Sequence, residues 1–498
     1  MRLDNETDPK ILRQAVTLLE KENQKLTQKI VELMREIVTL KGGGADQVAE
    51  RIADLEKQLA SKNQLLFGAS SEKRPGDKSA EDSASEQSKP PRTGHGPKAQ
   101  PKLPVVEVVH QSEQADTVCK SCGGQLDEWE GQFEESEEID VIERRFVVQK
   151  HKRQKYRCRC NACIETAPGP LKLFEGARYS IDFAIEVATD KYCDHNPLER
   201  QVRKMEREGL DVDSQTLWDQ TERVARLLTP AYIELNQYIL DKPVIGADET
   251  RWPLLGKKNN KPSQWHAWAI ASPDAVAYQI HDGRSVAIAK KVLGEFMGIV
   301  VCDGYGVYKS LANSNGLTLA HCWAHVRRAF IKAEKDFPAK STVAVELIRD
   351  LYEVEALCPA GPEGDTLRSS LRQERSKRIV EELFAYAEKT VVVPGSSLED
   401  AFDYMAKLKS GLERFLSDPR IPIDNNLTER SQRGIVVGRK NHYGSRSRRG
   451  TEVAALFYSF VESAKLCGLE PKAYLKRAVI AALRGERIPL PHEIAASP

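Results

Sequence analysis

The stretch Pro243-Val-Ile-Gly-Ala-Asp248 and its later counterpart Gly298-Ile-Val-Val-Cys-Asp303 decide the fold of the larger part of this chain. Each is a short apolar run typical of a buried strand, and each ends in an aspartate. If both strands belong to one sheet, their carboxylates lie on one edge of it. Hard divalent cations require such oxygen ligands, so the two stretches predict a metal site on an α/β domain.

The residues between and after these two stretches supply the other elements of that domain. Gln264 to Ala271 and Ala275 to Ile280 are rich in β-forming residues and flank Ser272-Pro-Asp, which predicts two antiparallel strands. A helix is predicted around Val286 to Leu293 and a fifth strand over Leu317 to His321. Trp323-Ala-His325-Val-Arg327-Arg328 then opens a basic helix, and we interpret Arg327 and Arg328 as contacts to DNA.

A third acid, Glu429, follows in Ile423-Asp424-Asn425-Asn426-Leu427-Thr428-Glu429-Arg430. Asp424 or Asn425 can cap a helix here, from whose early turns Glu429 would project toward the strand acids. Three carboxylates are what a two-metal displacement at phosphorus needs, so Asp248, Asp303 and Glu429 are the predicted catalytic residues.

Three alternatives to this triad stay open. Aspartates at strand ends commonly cap turns, and Glu429 could simply pair with Arg430 or Arg433. Glu249 and Asp424 are rival acids, although strand alternation predicts that Glu249 faces away from Asp248. His325 could be a fourth metal ligand, but a hydrogen bond on the helix surface is the preferred interpretation.

Basic residues crowd the segment after Glu429, and glycines interrupt them. We predict DNA contacts from Arg433, Arg439, Lys440, Arg446 and Arg448, with Gly438, Gly444 and Gly450 allowing close approach of a phosphate backbone. The alternative is a solvated basic loop.

Five of the ten cysteines crowd between Cys119 and Cys163. Cys119-Lys-Ser-Cys122 and Cys160-Asn-Ala-Cys163 have the spacing of a zinc ribbon, which assigns Cys119, Cys122, Cys160 and Cys163 as structural Zn²⁺ ligands. Cys158 is the rival for Cys160, and unligated thiols are the remaining alternative. The other cysteines, including Cys302 and Cys322, are predicted to be buried thiols.

Leucine recurs every seven residues near the start of the chain, at Leu12, Leu19, Leu26, Leu33 and Leu40. Val16, Asn23, Ile30 and Ile37 occupy the intervening a positions, a pattern that favours a parallel two-stranded coiled coil and hence a homodimer. The alternative is an amphipathic helix packed on its own domain.

Composition limits the function classes. Lys plus Arg total 74 and Asp plus Glu total 73 among 498 residues, so attraction to DNA must come from local clusters of charge. The start has no apolar signal core and no run of about 18 apolar residues occurs, which favours a cytoplasmic protein without membrane contact.

The sequence resembles the IS66 family of insertion-sequence transposases. The stretches that carry the resemblance are Gly246-Ala-Asp248-Glu-Thr250-Arg-Trp-Pro, Cys302-Asp303-Gly-Tyr-Gly-Val-Tyr, His321-Cys-Trp-Ala-His-Val-Arg-Arg, Asp424-Asn-Asn-Leu-Thr-Glu429-Arg, Gly438-Arg-Lys-Asn, Tyr458-Ser-Phe-Val-Glu and Pro471-Lys-Ala-Tyr-Leu. The resemblance implies an RNase H-like fold with a helical insertion before Glu429, the triad Asp248, Asp303 and Glu429, Mg²⁺ or Mn²⁺ as cofactor, and accessory proteins of the same element. One departure concerns zinc: the family pattern pairs Cys158 with position 161, which here is Asn161.

We therefore expect a multidomain α+β protein. The expected order is a coiled-coil zipper at 8–67, a disordered linker at 68–103, a zinc ribbon at 104–175, a helical DNA-binding region at 176–240, an RNase H-like α/β catalytic domain at 241–335 and 421–482 around a helical insertion at 336–420, and a tail at 483–498. The expected function is metal-dependent cleavage at the ends of an insertion sequence and strand transfer into target DNA. The alternatives are a nuclease without strand transfer and an inactive DNA-binding dimer.

Overall fold

The computed structural model describes residues 145–157, 164–258 and 261–496. All of them belong to one of the two compact units into which the chain divides. The predicted zipper at 8–67 and linker at 68–103 lie outside the described residues, and so do the predicted zinc ligands Cys119, Cys122, Cys160 and Cys163 with their rival Cys158.

A two-stranded antiparallel ribbon comes first, made of β1 (Lys155–Arg157) and β2 (Ile164–Thr166). Lys155 is the register partner of Thr166, and Arg157 that of Ile164. The ribbon is extended by a bond from the Ala167 N–H to the Gln154 carbonyl oxygen, 2.9 Å long. The two strands flank residues 158–163, the segment in which the sequence places the second cysteine knuckle.

Three helices follow: α1 (Ile181–Tyr192), α2 (Leu198–Arg207) and α3 (Ser214–Leu240). Ser180 and Asp213 cap α1 and α3, each accepting a hydrogen bond from a backbone N–H three residues on. Apolar residues of α1 and α3 belong to the same buried core as the strands described next, and Tyr192 stacks on Phe457 with ring centroids 4.9 Å apart. The helices α1 and α3 therefore pack directly on the sheet.

A five-stranded mixed sheet lies at the centre, in the order β5-β4-β3-β6-β7. Its strands are β3 (Val244–Lys258), β4 (Lys261–Ser272), β5 (Ala275–His281), β6 (Ile299–Cys302) and β7 (Thr318–His321). β3, β4 and β5 are antiparallel neighbours, whereas β6 runs parallel to both β3 and β7. The predicted antiparallel pair is confirmed, and the two aspartate-bearing strands are adjacent.

The prediction that the first of these strands ends at Asp248 is wrong. β3 pairs with β4 out to Lys258, ten residues further. Pairing with β6 covers only Val244 to Gly246, so the far part of β3 has a strand partner on one side alone. A proline fits at such an edge, and this is why Pro253 does not end the strand.

Three helices lie among and after these strands: α4 (Val286–Leu293) precedes β6, α5 (Gly306–Asn315) joins β6 to β7, and α6 (Trp323–Glu334) follows β7. The helix predicted around Val286 to Leu293 and the basic helix predicted from Trp323 are confirmed; α5 was not predicted. Gly294 and Gly316 adopt φ angles of 57° and 76° just after α4 and α5. Glycine has little penalty at positive φ, so both positions suit the reversal of the chain at a helix end.

A helical segment follows α6 and has a second buried core that reaches Val301 of β6 and Ala320 of β7. Its helices are α7 (Pro338–Ala356), α8 (Asp365–Leu371), α9 (Lys377–Lys389), α10 (Ser397–Lys407) and α11 (Lys409–Leu412). Arg372 is buried there and donates bonds of 2.7 and 2.9 Å to the two carboxylate oxygens of Glu355. The buried charge is thus paired with a carboxylate, as a low-dielectric interior requires.

Four helices complete the chain: α12 (Asn426–His442), α13 (Arg448–Leu466), α14 (Pro471–Leu483) and α15 (Pro491–Ala495). α13 lies against β5, the outer strand of the sheet. Ser459 and Ser463 bond to the backbone N–H groups of Tyr278 and Val276, each at 2.9 Å. A helix thereby covers a strand edge whose polar groups would otherwise be buried without partners.

None of the helices in these described ranges has the length and apolar character needed to cross a membrane.

Candidate active site

Asp248 lies on β3, and Asp303 directly follows the neighbouring strand β6. Gly246 and Val301 are register partners in the parallel pair β3 and β6. Asp248 lies two residues after Gly246, and Asp303 lies two residues after Val301. The side chain of Asp303 accepts a 2.9 Å hydrogen bond from the Tyr305 N–H, which fixes the turn after β6. The sequence prediction that both acids share one edge of the sheet is consistent with this register.

The start of α12 packs over the same face of β3. A Cβ atom added at Gly246 would lie 2.0 Å from Oγ1 of Thr428, far inside a normal contact distance. The Asn425 side chain donates a 2.9 Å hydrogen bond to the carbonyl oxygen of Ala247, the residue before Asp248. Gly246 thus allows a close approach of α12 that no other residue type permits.

Glu429 lies in the first turn of α12, where the sequence placed it. Its backbone N–H bonds to the Asn425 carbonyl oxygen at 3.1 Å. One carboxylate oxygen, Oε2, accepts a hydrogen bond of 3.3 Å from Arg328. The other, Oε1, lies 3.5 Å from Nε2 of His325 and is buried without a hydrogen-bond partner in the described part of the chain.

The electrostatics of Asp248 reflect this accumulation of acids. Burial raises the pKa of Asp248 to about 7, and the carboxylates of Glu249, Asp303 and Glu429 add to the effect. A buried acid surrounded by like charges is destabilised when ionised. A bound divalent cation would relieve this repulsion, so the acids present fit such an ion.

Glu249 faces the opposite side of the sheet, as strand alternation predicted. It accepts a 2.7 Å hydrogen bond from the Tyr308 hydroxyl on α5 and forms an ion pair with Arg284. These contacts satisfy both of its carboxylate oxygens. Glu249 therefore has a structural role on that side.

Two of the seven predicted DNA-contacting residues, Arg328 and Arg439, donate hydrogen bonds to other residues of the protein. Arg328 is bonded to Glu429, as described above. Arg439 turns toward β3, where it donates a 2.9 Å hydrogen bond to Oγ1 of Thr250 and a further bond to the Arg251 carbonyl oxygen. Arg439 thus links α12 to the strand that carries Asp248.

Of the other five predicted contacts, four are exposed and Arg327 is half-buried. Arg433 and Lys440 are exposed on one face of α12, and Arg430 and Val437 continue that face at helical spacing. Arg446 and Arg448 are exposed at the loop and the helix start that follow, and Arg448 lies 3.8 Å from Glu452. The basic face of α12, defined by Arg430, Arg433 and Lys440, begins one residue after Glu429.

Two residues lie closer to Glu429 than the sequence indicated. Cys322 was assigned only as a buried thiol and His325 mainly as a helix-surface residue. In the structure, ligand atoms of Cys322, His325 and Glu429 all lie within 4.8 Å of one another, and neither aspartate belongs to that group. The spacing Cys322-Trp-Ala-His325, one helical turn, was the signal that could have revealed the pair.

Two family models and several curated proteins match the chain. The model of the transposase IS66 family matches residues 176–453, which include Asp248, Asp303 and Glu429. The zinc-finger binding domain of transposase IS66 matches residues 116–161. Two uncharacterized proteins of Sinorhizobium fredii, y4jD and y4qI, are each 32% identical, over 75% and 70% of this chain and 76% and 68% of their own lengths. A third, y4hP, is 27% identical over 90% of this chain and 84% of its own.

Proposed function

Because the chain belongs to the IS66 transposase family, we propose that it is a DDE transposase that cleaves DNA at the ends of its insertion sequence and joins the freed strands to target DNA. The observation that carries the proposal is the parallel register of β3 and β6, in which Asp248 and Asp303 each follow two residues after the register partners Gly246 and Val301. Glu429 lies on α12, whose Thr428 packs closely against Gly246 of β3. The sheet order, with three antiparallel strands followed by two parallel ones, supports an RNase H-like catalytic fold.

Asp248, Asp303 and Glu429 would hold Mg²⁺ or Mn²⁺. When bound, such ions supply activation of the attacking hydroxyl and stabilisation of the leaving oxygen at phosphorus. Burial, with a further contribution from the neighbouring acids, raises the pKa of Asp248 to about 7. A bound cation would lower this pKa, so Asp248 would release its proton as the ion binds.

The basic face of α12 positions the DNA in this account. Arg430, Arg433 and Lys440 follow Glu429 along one exposed face, so a phosphate backbone lying on them passes beside the acids. Arg328 and Glu429 are bonded to each other in the DNA-free structure. An incoming phosphate competes for Arg328, which frees Oε2 of Glu429.

The proposal also covers a structural zinc site, a homodimer and accessory protein partners. The match to the IS66 zinc-finger domain supports a structural Zn²⁺ site at Cys119 and Cys122 with two of the later cysteines, Cys160 and Cys163 by spacing, or Cys158 as the alternative. The leucine heptads of 8–67 support a homodimer, which would bring two active sites to two element ends. Accessory proteins of the same element are further proposed partners.

A test in cells uses the complete element with a selectable marker and its accessory genes. We expect marker transfer to a target plasmid with the wild-type chain and none with Asp248→Ala at equal protein level. Transfer that continues with Asp248→Ala would refute the catalytic assignment. Excision or nicking without integration would instead favour a nuclease without strand transfer.

A further inference from the structure

The start of α6 and the first turn of α12 bring three different metal-ligating side chains together. Ligand atoms of Cys322, His325 and Glu429 lie within 4.8 Å of one another. We propose that these three residues form a binding site for a divalent transition-metal ion, such as Co²⁺ or Zn²⁺. The proposal deepens the proposed function and rests on it for the role of Glu429, to which it adds a thiolate and an imidazole.

The two elements that carry the donors are tied to each other by backbone contacts. The Trp323 N–H bonds to the Ile423 carbonyl oxygen at 3.1 Å, and the Asn425 N–H bonds to Sγ of Cys322 at 3.2 Å. Cys322 is the residue before α6, and His325 lies one turn further along. The three donors are therefore held on rigid parts of the fold, as a preorganised site requires.

Two polar atoms of these side chains lack hydrogen-bond partners. Oε1 of Glu429 and Nδ1 of His325 are both buried without a hydrogen-bond partner in the described ranges. The 3.5 Å separation of Nε2 of His325 from Oε1 of Glu429 is long for a hydrogen bond. Since a buried unsatisfied carboxylate oxygen is costly, its position beside an imidazole and a thiol suits a bound cation.

Only one of the two carboxylate oxygens of Glu429 accepts a hydrogen bond from a described residue. Arg328 donates to Oε2 at 3.3 Å, which leaves Oε1 for the ion. Glu429 would thus bind through one oxygen while Arg328 fixes its orientation, in the way that residues behind a metal ligand commonly do.

The donor set selects the kind of ion. Sulfur and nitrogen donors favour transition metals over Mg²⁺ and Ca²⁺, which prefer oxygen ligands alone. Three protein donors leave a fourth position for water or a phosphate oxygen. The His325 and Glu429 side chains are 22% and 25% exposed, so that position can be reached from solvent, while Cys322 is buried behind it. The thiol of Cys322 releases its proton to solvent when the ion binds.

Cobalt absorption of the full-length protein tests the proposal. The chain is first loaded with one Zn²⁺ for its cysteine-rich segment and then titrated with Co²⁺, and each variant is compared with wild type so that any signal from that segment cancels. We expect wild type to show thiolate-to-cobalt charge-transfer absorption that Cys322→Ala lacks. His325→Ala should weaken the apparent Co²⁺ affinity by at least about tenfold.

Two controls separate this site from its surroundings. Cys302→Ala removes another buried thiol, on β6, and should leave the cobalt spectrum unchanged. Asp248→Ala should abolish strand transfer yet keep the thiolate absorption, so a failure of the proposed function leaves a different signature from a failure of this site. Identical Co²⁺ spectra and affinities in wild type, Cys322→Ala and His325→Ala would overturn the proposal. If Cys322→Ala does not fold, as judged by circular dichroism, the comparison of His325→Ala with wild type decides alone.

Discussion

The Asn425 side chain donates a 2.9 Å hydrogen bond to the carbonyl oxygen of Ala247. This bond joins the residue before α12 to the residue before Asp248, although 178 positions separate them in the chain. The distant third acid reaches the two strand acids through this contact and through the close packing at Gly246. Precise relative placement of reacting groups is worth large factors in rate, so these contacts should matter for catalysis.

The packing at Gly246 gives the first prediction. Gly246→Ala places a methyl group 2.0 Å from Oγ1 of Thr428, so α12 must shift, and we expect a loss of about 1–3 kcal/mol in the free energy of unfolding. Thermal melting measures it. Adding Thr428→Ala should recover part of the loss. Gly283→Ala is the matched control, because a Cβ atom there meets nothing within 4 Å. Equal melting temperatures for Gly246→Ala and wild type would contradict the packing.

The pKa of Asp248 gives the second prediction, for protein without added Mg²⁺ or Mn²⁺. Its pKa in the folded state is about 7, above the ordinary value of 3.8. Protonation of Asp248 therefore contributes to the free energy of unfolding; this contribution is fully present below about pH 4 and is lost as the pH rises to 7. Asp248→Asn avoids this loss. We expect the variant to exceed wild type by about 2–4 kcal/mol in unfolding free energy at pH 8 and to match it at pH 4.

A measurement of melting temperature against pH for both proteins tests this expectation. The difference between them should grow between pH 4 and pH 7 and then level off. A difference that stays constant with pH would show that the pKa of Asp248 is not raised in the folded protein.

The basic face of α12 gives the third prediction. Arg433→Ala and Lys440→Ala should each weaken DNA binding and reduce the slope of log K against log salt by about 1, because each removes one phosphate contact. Lys377→Ala on α9 is the control, since its side chain is exposed on the helical segment and should leave the slope unchanged. Fluorescence anisotropy with element-end DNA over a range of salt concentrations measures the slopes. Unchanged slopes in both α12 variants would place the DNA elsewhere.

Much of the catalytic domain could be predicted from local sequence. The strands at Gln264 to Ala271 and Ala275 to Ile280 and the helix at Val286 to Leu293 follow from composition and periodicity alone, and the structure has them. The extent of β3 could not be predicted in this way. A strand that contains Pro253 persists only because one of its sides lacks a strand partner at that point, which is a property of the assembled sheet.

The acids of the candidate site could be predicted from the sequence, but the residues that surround them could not. Asp248 and Asp303 were found because each follows an apolar run. The inward turn of Arg439 toward Thr250 and the grouping of Cys322 with Glu429 depend on how α12 packs against β3 and α6. Contacts between residues more than a hundred positions apart leave no periodic trace in the sequence.

Asp303→Asn provides a further prediction that separates binding from chemistry. The substitution removes an acid of the proposed metal site and no phosphate contact, so we expect loss of cleavage with DNA affinity within about threefold of wild type. Binding is measured by anisotropy and cleavage on end-labelled DNA. A variant that binds DNA much more weakly than wild type would count against the role of Asp303 as a metal ligand.

The most direct test of the central claim is strand transfer by purified protein with labelled element ends, a supercoiled target plasmid and Mg²⁺ or Mn²⁺. We predict joined product with wild type, none without a divalent ion, and none with Asp248→Ala, Asp303→Asn or Glu429→Gln. Joining that persists when any of these three acids is replaced, or that needs no divalent ion, would contradict the account.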